Sequence, residues 1–191
     1  MKQEIEIEYK NLLTKSEYKR LLRLYPFQKA IKQHNYYFET AQLQLQKQKS
    51  ALRIRKKNNE YVLTLKQPHY GQLLETHVEI TEDETEQCLI GNFIEHKQFN
   101  EQLAKLGVDA QQLNYIGKLV TYRRIYEENE TIYVLDRSLY NGYEDFEFEL
   151  EVNDEHKGKK HFLSILKKAE IKQVHTPNKI ERFFKTLPKQ I

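Results

Sequence analysis

Residues 4–10 read Glu4-Ile5-Glu6-Ile7-Glu8-Tyr9-Lys10, and late in the chain Glu147-Phe148-Glu149-Leu150-Glu151-Val152 returns a near mirror of them. Alternate side chains of a β-strand point to opposite faces. Each stretch therefore sets three carboxylates on one face and large apolar groups on the other. Between them lie strand-like runs that carry cations at the same spacing: Arg53 and Arg55 in ALRIR, Lys66 closing YVLTLK, and Arg123 in LVTYRRIY. Acid rows and basic rows on one sheet face suit a polyanion chelated through a metal ion.

Working outward from these runs, strands are expected near 3–10, 34–40, 51–57, 60–66, 72–80, 117–127, 131–137 and 145–152. Asn58-Asn59, Gly71 and Asn141-Gly142 fall between consecutive runs, where antiparallel hairpins need turn residues. Helices fit between and after them. Thr14-Lys15-Ser16-Glu17 and Thr81-Glu82-Asp83-Glu84 have capping-box form. The first opens a helical run through Tyr18, Leu21, Leu22 and Tyr25 that Pro26 stops; the second precedes Cys88, Leu89 and Phe93. A third helix is expected over 99–106, ending at Gly107, and a fourth over 157–169 with Phe162, Leu163, Ile165 and Leu166 as its buried stripe. The tail 176–188 reads as half-ordered, with a last helical turn around Ile180 and Phe183.

No Pro/Gly/Ser-rich linker divides the 191 residues, so a single domain over 1–191 is expected, of the α+β class. Eight hairpin-connected strands predict one antiparallel sheet that closes, or nearly closes, into a β-barrel. Small barrels usually fill with apolar side chains. Here the apolar faces must instead pack outward on the helices, leaving a charged lumen, a tunnel with flanking helices.

Composition narrows the setting. The net charge of +3 comes from 31 basic and 28 acidic residues, so no global field selects nucleic acid or membrane. Cys88 is the only cysteine, which excludes an intramolecular disulfide and suits the cytosol. No apolar stretch is long enough to span a bilayer as a helix. A cytoplasmic protein with a small-molecule partner, and neither a nucleic-acid nor a membrane partner, is expected.

Charge segregation favours a site over a decorated surface. A solvated sheet face gains from pairing opposite charges directly, by ~0.2–1 kcal/mol per pair. Rows of like charge forgo that gain unless a cation sits among the acids and an anion among the bases. Carboxylate oxygens are what Mg²⁺ and Mn²⁺ prefer, and the seven histidines show no paired spacing that would suit zinc. His77 alternates with Glu75 and Glu79 and is assigned a hydrogen-bonding role in preference to metal ligation, and Asp136 either joins the acids or caps a turn. Arg53 and Arg55 can grip phosphate bidentately, while Lys10, Lys66 and Arg123 act as placed charges. Gly-rich phosphate loops, nucleophile elbows and dinucleotide fingerprints are absent from a chain with only 6 glycines, so side chains must bind the phosphate.

These motifs together resemble a CYTH-domain protein of the triphosphate tunnel metalloenzyme superfamily. The family's E-x-E-x-K stands as Glu6-Ile7-Glu8-Tyr9-Lys10, and the resemblance continues through NYYFET (35–40), ALRIR, YVLTLK, LLET (73–76), Thr121-Tyr122-Arg123, the late acidic strand and NKIERF (178–183). It implies an eight-stranded tunnel binding a triphosphate and divalent cations. The metal candidates are Glu4, Glu6, Glu8, Asp136, Glu147, Glu149 and Glu151, with Glu147/Glu149 and Glu149/Glu151 as alternative registers. The substrate-binding candidates are Lys10, Arg53, Arg55, Lys66, Arg123, Lys179 and Arg182. Catalysis is assigned to Glu149, Arg53 and Arg55. Where many relatives carry Arg after the Glu-Thr pair, this chain has His77. Activities in the family include tripolyphosphate, thiamine-triphosphate and RNA triphosphate hydrolysis and class IV adenylate cyclisation. Hydrolysis of tripolyphosphate or a related triphosphate is expected here, with a cyclase or a non-catalytic polyphosphate- or nucleotide-binding module as the rivals.

Overall fold

A computed structural model describes residues 1–187; the end of the expected tail segment at 188 lies outside the described residues. The elements run β1 (Lys2–Leu13), α1 (Lys15–Leu24), β2 (Ile31–Thr40), α2 (Gln44–Lys47), β3 (Ala51–Lys57), β4 (Glu60–His69), β5 (Gln72–Ile80), α3 (Glu82–Leu89), α4 (Lys97–Lys105), β6 (Leu113–Glu128), β7 (Thr131–Tyr140), β8 (Tyr143–Val152), α5 (Glu155–Lys168) and α6 (Lys179–Lys185). The strands pair in the order β1-β5-β4-β3-β2-β6-β7-β8 and close on themselves as an antiparallel barrel with flanking helices. All eight expected strands form, and the hairpin turns use left-handed backbone at Asn58, Gly71, Asn141 and Gly142.

The chain divides into two compact units, one of Met1–Glu6 with Gln33–Leu119 and one of Ile7–Lys32 with Val120 onward. In the first, β1 begins against β5 with Glu4 opposite Glu75, and β4 bridges β3 and β5. Leu52 and Ile54 of β3, Leu63 and Leu65 of β4 and Val78 of β5 share one face, and that face packs on Leu45, Cys88, Phe99 and Leu103 of the helices. The alternate residues Arg53, Arg55, Thr64, Lys66, Glu75 and His77 fall on the opposite face. Thr81 makes the expected reciprocal cap with Glu84, and His96 caps α4, which the sequence had not suggested. The short α2 was also unforeseen. Glu39, fully buried, accepts hydrogen bonds from the amides of Thr40, Leu45 and Gln46 and so holds that turn in place.

In the second unit, the remainder of β1 pairs with β8, β8 with β7, and β7 with β6. Tyr133, Leu135, Phe146, Phe148 and Leu150 form the apolar face, covered by Tyr18 and Leu21 of α1 and by Phe162, Ile165 and Leu166 of α5. Leu163 departs from the expected stripe and is exposed, because it lies a quarter turn away from the face that Phe162 and Ile165 bury. Thr14 caps α1 with Glu17, and Asp154 caps α5. β1 runs three residues beyond the expected end because Asn11, Leu12 and Leu13 continue its ladder with Phe148, Glu147 and Phe146 of β8, and the tail adds support. Asn11 binds the carbonyl of Lys172 and the amide of Val174, and the amide of Leu12 donates to Thr176. In both units, therefore, the sheet face against the helices is apolar and the other is charged.

Candidate active site

The β7–β8 register sets Asp136 opposite Glu147 and Val134 opposite Glu149, while β1 sets Lys10 opposite Glu149 and Glu8 opposite Glu151. The carboxylates of Asp136, Glu147 and Glu149 are buried together. Two cations lie among them. Arg123, across β6 from Asp136, donates to both of its oxygens at 3.0 and 2.7 Å and to Glu149 at 2.7 Å. Lys179 at the start of α6 reaches Asp136 at 2.6 Å and Glu147 and Glu149 at 3.0 Å. Arg182, one turn on, holds Glu147 at 2.8 Å, Asp145 at 2.8 Å and the carbonyl of Pro177 at 2.7 Å. Lys10 binds Glu8 at 2.8 Å and Asn178 at 2.5 Å. Glu151 stands at the margin, 4.0 Å from Arg123 and partly exposed.

Like carboxylates this close stay ionised only where cations outweigh burial. Burial pushes the carboxyl groups of Glu149 and Asp136 up, yet both are held below the usual range, Glu149 by Lys179, Arg123 and Lys10, and Asp136 by Arg123 and Lys179. Burial pulls Lys179 down, but the three acids more than reverse it.

In the other unit, Lys66 bridges Glu6 and Glu75, the latter at 3.0 Å. Burial raises the Glu75 carboxyl group, but Arg53 and Lys66 bring it down to about 2. Arg55 Nε donates to Asn35 Oδ1 at 2.9 Å, so β2 orients the guanidinium on β3. His77 donates or accepts at Thr64 (3.0 Å) and faces Glu4 and Glu75 at 3.2 and 3.3 Å. Glu4 is the most exposed of the candidate ligands and also meets Lys2 at 2.5 Å.

Each unit thus gathers a share of the expected residues. Lys10, Arg123, Asp136, Glu147, Glu149, Lys179 and Arg182 share one network, with Glu8 joined through Lys10. Glu6, Lys66, Glu75 and His77 share the other. Asn35, Asn178, Asp145 and Thr64 were not foreseen. Asn35, Asn178 and Thr64 are neutral and carry no charge pattern, so only strand register and the tail bring them in, whereas Asp145 begins the alternation that Glu147, Glu149 and Glu151 continue and could have been found from it. Glu75 was visible in LLET but had been given no role.

Comparison with known proteins gives the family. A profile of the CYTH domain matches residues 4–184. The chain belongs to the CYTH family. It is 40% identical over 193 residues, and the whole of both chains, to a Bacillus subtilis protein named "Putative triphosphatase YjbK". Its fold is similar to a "putative adenylate cyclase" from Bacillus halodurans, with a TM-score of 0.90, 41% identity and coverage of 96% of this chain and 100% of that one. It is also similar to an adenylyl-cyclase-like protein from Hippeastrum described as having a dominant triphosphatase activity, with a TM-score of 0.79, 26% identity and 95% of both chains covered. Within this CYTH chain, the E-x-E-x-K strand is β1, the late acidic strand is β8, and the closing Lys-containing motif is α6. No helix among the described residues is long and apolar enough to cross a membrane.

Proposed function

We propose that this CYTH protein is a divalent-metal-dependent triphosphatase that hydrolyses inorganic tripolyphosphate or a related short triphosphate in the cytoplasm. The observation that carries the reading is the buried trio of Asp136, Glu147 and Glu149, held ionised by Arg123 and Lys179. Ionised, water-poor carboxylates beside cationic side chains are what a metal-bound polyanion requires.

The donor set fits Mg²⁺ or Mn²⁺. Glu6, Glu8, Asp136, Glu147, Glu149 and Glu151 offer carboxylate oxygen and nothing softer. Bound there, such a cation supplies Lewis acidity toward a phosphate oxygen. Arg53 and Arg55 take phosphate oxygens bidentately, and Lys10, Lys66, Arg123, Lys179 and Arg182 neutralise the rest. Water attacks the terminal phosphorus, the bridging P–O bond breaks, and orthophosphate and pyrophosphate leave. The charge that builds on the departing oxygen is met by fixed guanidinium groups, the largest contribution expected for this chemistry. Glu149, its carboxyl group held well below the usual range, orients the water rather than storing its proton.

The test is phosphate release from tripolyphosphate and from ATP, with Mg²⁺ and with Mn²⁺, beside a Glu6→Gln variant. Release from tripolyphosphate that is lost in the variant supports the proposal. Cyclic AMP with pyrophosphate from ATP would instead establish the activity in the Bacillus halodurans relative's name. Stabilisation by tripolyphosphate without turnover under either metal would establish a binding module.

A further inference from the structure

Glu4 and Glu75 are direct partners across the β1–β5 ladder, an arrangement of like charges that destabilises unless something positive lies between them. Each spends one oxygen on a lysine: Glu4 Oε2 on Lys2, and Glu75 Oε1 on Lys66. The other oxygen of each turns toward Nε2 of His77, at 3.2 Å from Glu4 Oε1 and 3.3 Å from Glu75 Oε2. The opposite ring nitrogen, Nδ1, is engaged by Thr64 Oγ1 at 3.0 Å from the neighbouring strand β4. One oxygen of Glu4, one of Glu75 and one ring nitrogen of His77 lie within 4.8 Å of one another.

We propose that Glu4, Glu75 and His77 form a further cation site, selective for a borderline transition metal of the zinc class and separate from the all-oxygen set assigned to Mg²⁺ or Mn²⁺. Zinc bonds to nitrogen and carboxylate oxygen at about 2.0–2.2 Å in a tetrahedron, whose donors stand ~3.3 Å apart. The two His77 contacts already have that spacing. Thr64 acts as the outer partner that fixes the tautomer of a ligating histidine and its ring plane. Glu4 lies on the exposed side, which leaves the fourth position to water. The imidazole nitrogen is the discriminating donor, since Mg²⁺ takes oxygen ligands and zinc accepts both. Ligand spacing along the chain could not reveal this trio, because Glu4 and His77 are 73 residues apart and only the pairing of β1 with β5 joins them.

The experiment is a titration of the full chain with Co²⁺ alone, and with Zn²⁺ alone by calorimetry, each in excess Mg²⁺. Visible absorption typical of tetrahedral cobalt, saturating at one equivalent and displaced by Zn²⁺, is expected. It is lost in His77→Ala and in Glu4→Gln, kept in Glu8→Gln, and weakened 10–100-fold in Thr64→Val, the loss usual for an outer-sphere partner. Circular dichroism of each variant confirms the fold. Absence of tetrahedral absorption in the native chain overturns the proposal, as does absorption of equal strength in folded His77→Ala. A loss of triphosphatase activity leaves these spectra unaffected, so the two readings stand or fall apart.

Discussion

Arg123 and Asp136 are Cα partners across β6 and β7, and the guanidinium grips the carboxylate through two parallel hydrogen bonds of 3.0 and 2.7 Å while its Nη2 also reaches Glu149. Asp136 has no exposed surface. The pair is therefore the fixed point from which the acid row of β8 is held, and Lys179 completes it from α6.

Removing one partner of a buried pair strands the other without compensation. Asp136→Asn is accordingly expected to lower stability by about 3–5 kcal/mol in urea unfolding. A loss below about 1 kcal/mol would show that water reaches Arg123 and Lys179 in solution.

The acid limb of stability follows from the same groups. Glu75, Asp136 and Glu149 all have folded pKa values below their unfolded ones, Glu75 at about 2. The stability they contribute is complete above pH ~5 and is lost as the pH falls through the folded values, because the unfolded chain binds protons first. Lys179→Met removes a cation that holds Asp136 and Glu149 down, so acid unfolding monitored by circular dichroism should move to higher pH. An unchanged midpoint would mean Lys179 is not in the cluster in solution.

Arg55 is oriented by Asn35, and Lys cannot reproduce a bidentate fork. Arg55→Lys should lower phosphate release from tripolyphosphate on the order of 100-fold. Its thermal melting point should stay close to that of the native chain. Equal loss of melting point and activity would assign Arg55 to the fold instead.

Gly158 is buried where α5 crosses β8, and a Cβ there would collide with Val152 Cγ2 and crowd the Tyr9 ring at 3.1 Å. Tyr9 also donates to the carbonyl of Glu155 at 2.6 Å, so α5 has little room to withdraw. Gly158→Ala should cost about 1–3 kcal/mol by overpacking, measurable by thermal melting.

The strand plan was legible because alternation survives in single strands: EIEIEYK and EFELEV declare their faces without reference to any neighbour. The capping boxes at Thr14 and Thr81 were legible for the same reason, each being closed within four residues. What escaped were features closed by distant parts of the chain. β1 extends to Leu13 through its pairing with β8, with residues 172–176 holding Asn11 and Leu12, and α2 exists around a buried Glu39 that reads locally as one more strand residue.

Within the candidate site the division is similar. The sequence by itself determined which residues are charged, which face of each strand they occupy, and, through the E-x-E-x-K, ALRIR and NKIERF motifs, the CYTH family. It could not rank Glu147, Glu149 and Glu151, because all three share one face. Tertiary structure separated them: Glu147 and Glu149 are buried beside Arg123, Lys179 and Arg182, while Glu151 stays at the margin. It also joined Glu4 to Glu75 and His77. The physical reason is that alternation is a property of one strand, whereas burial depth and charge pairing depend on the register between strands, which no single strand encodes.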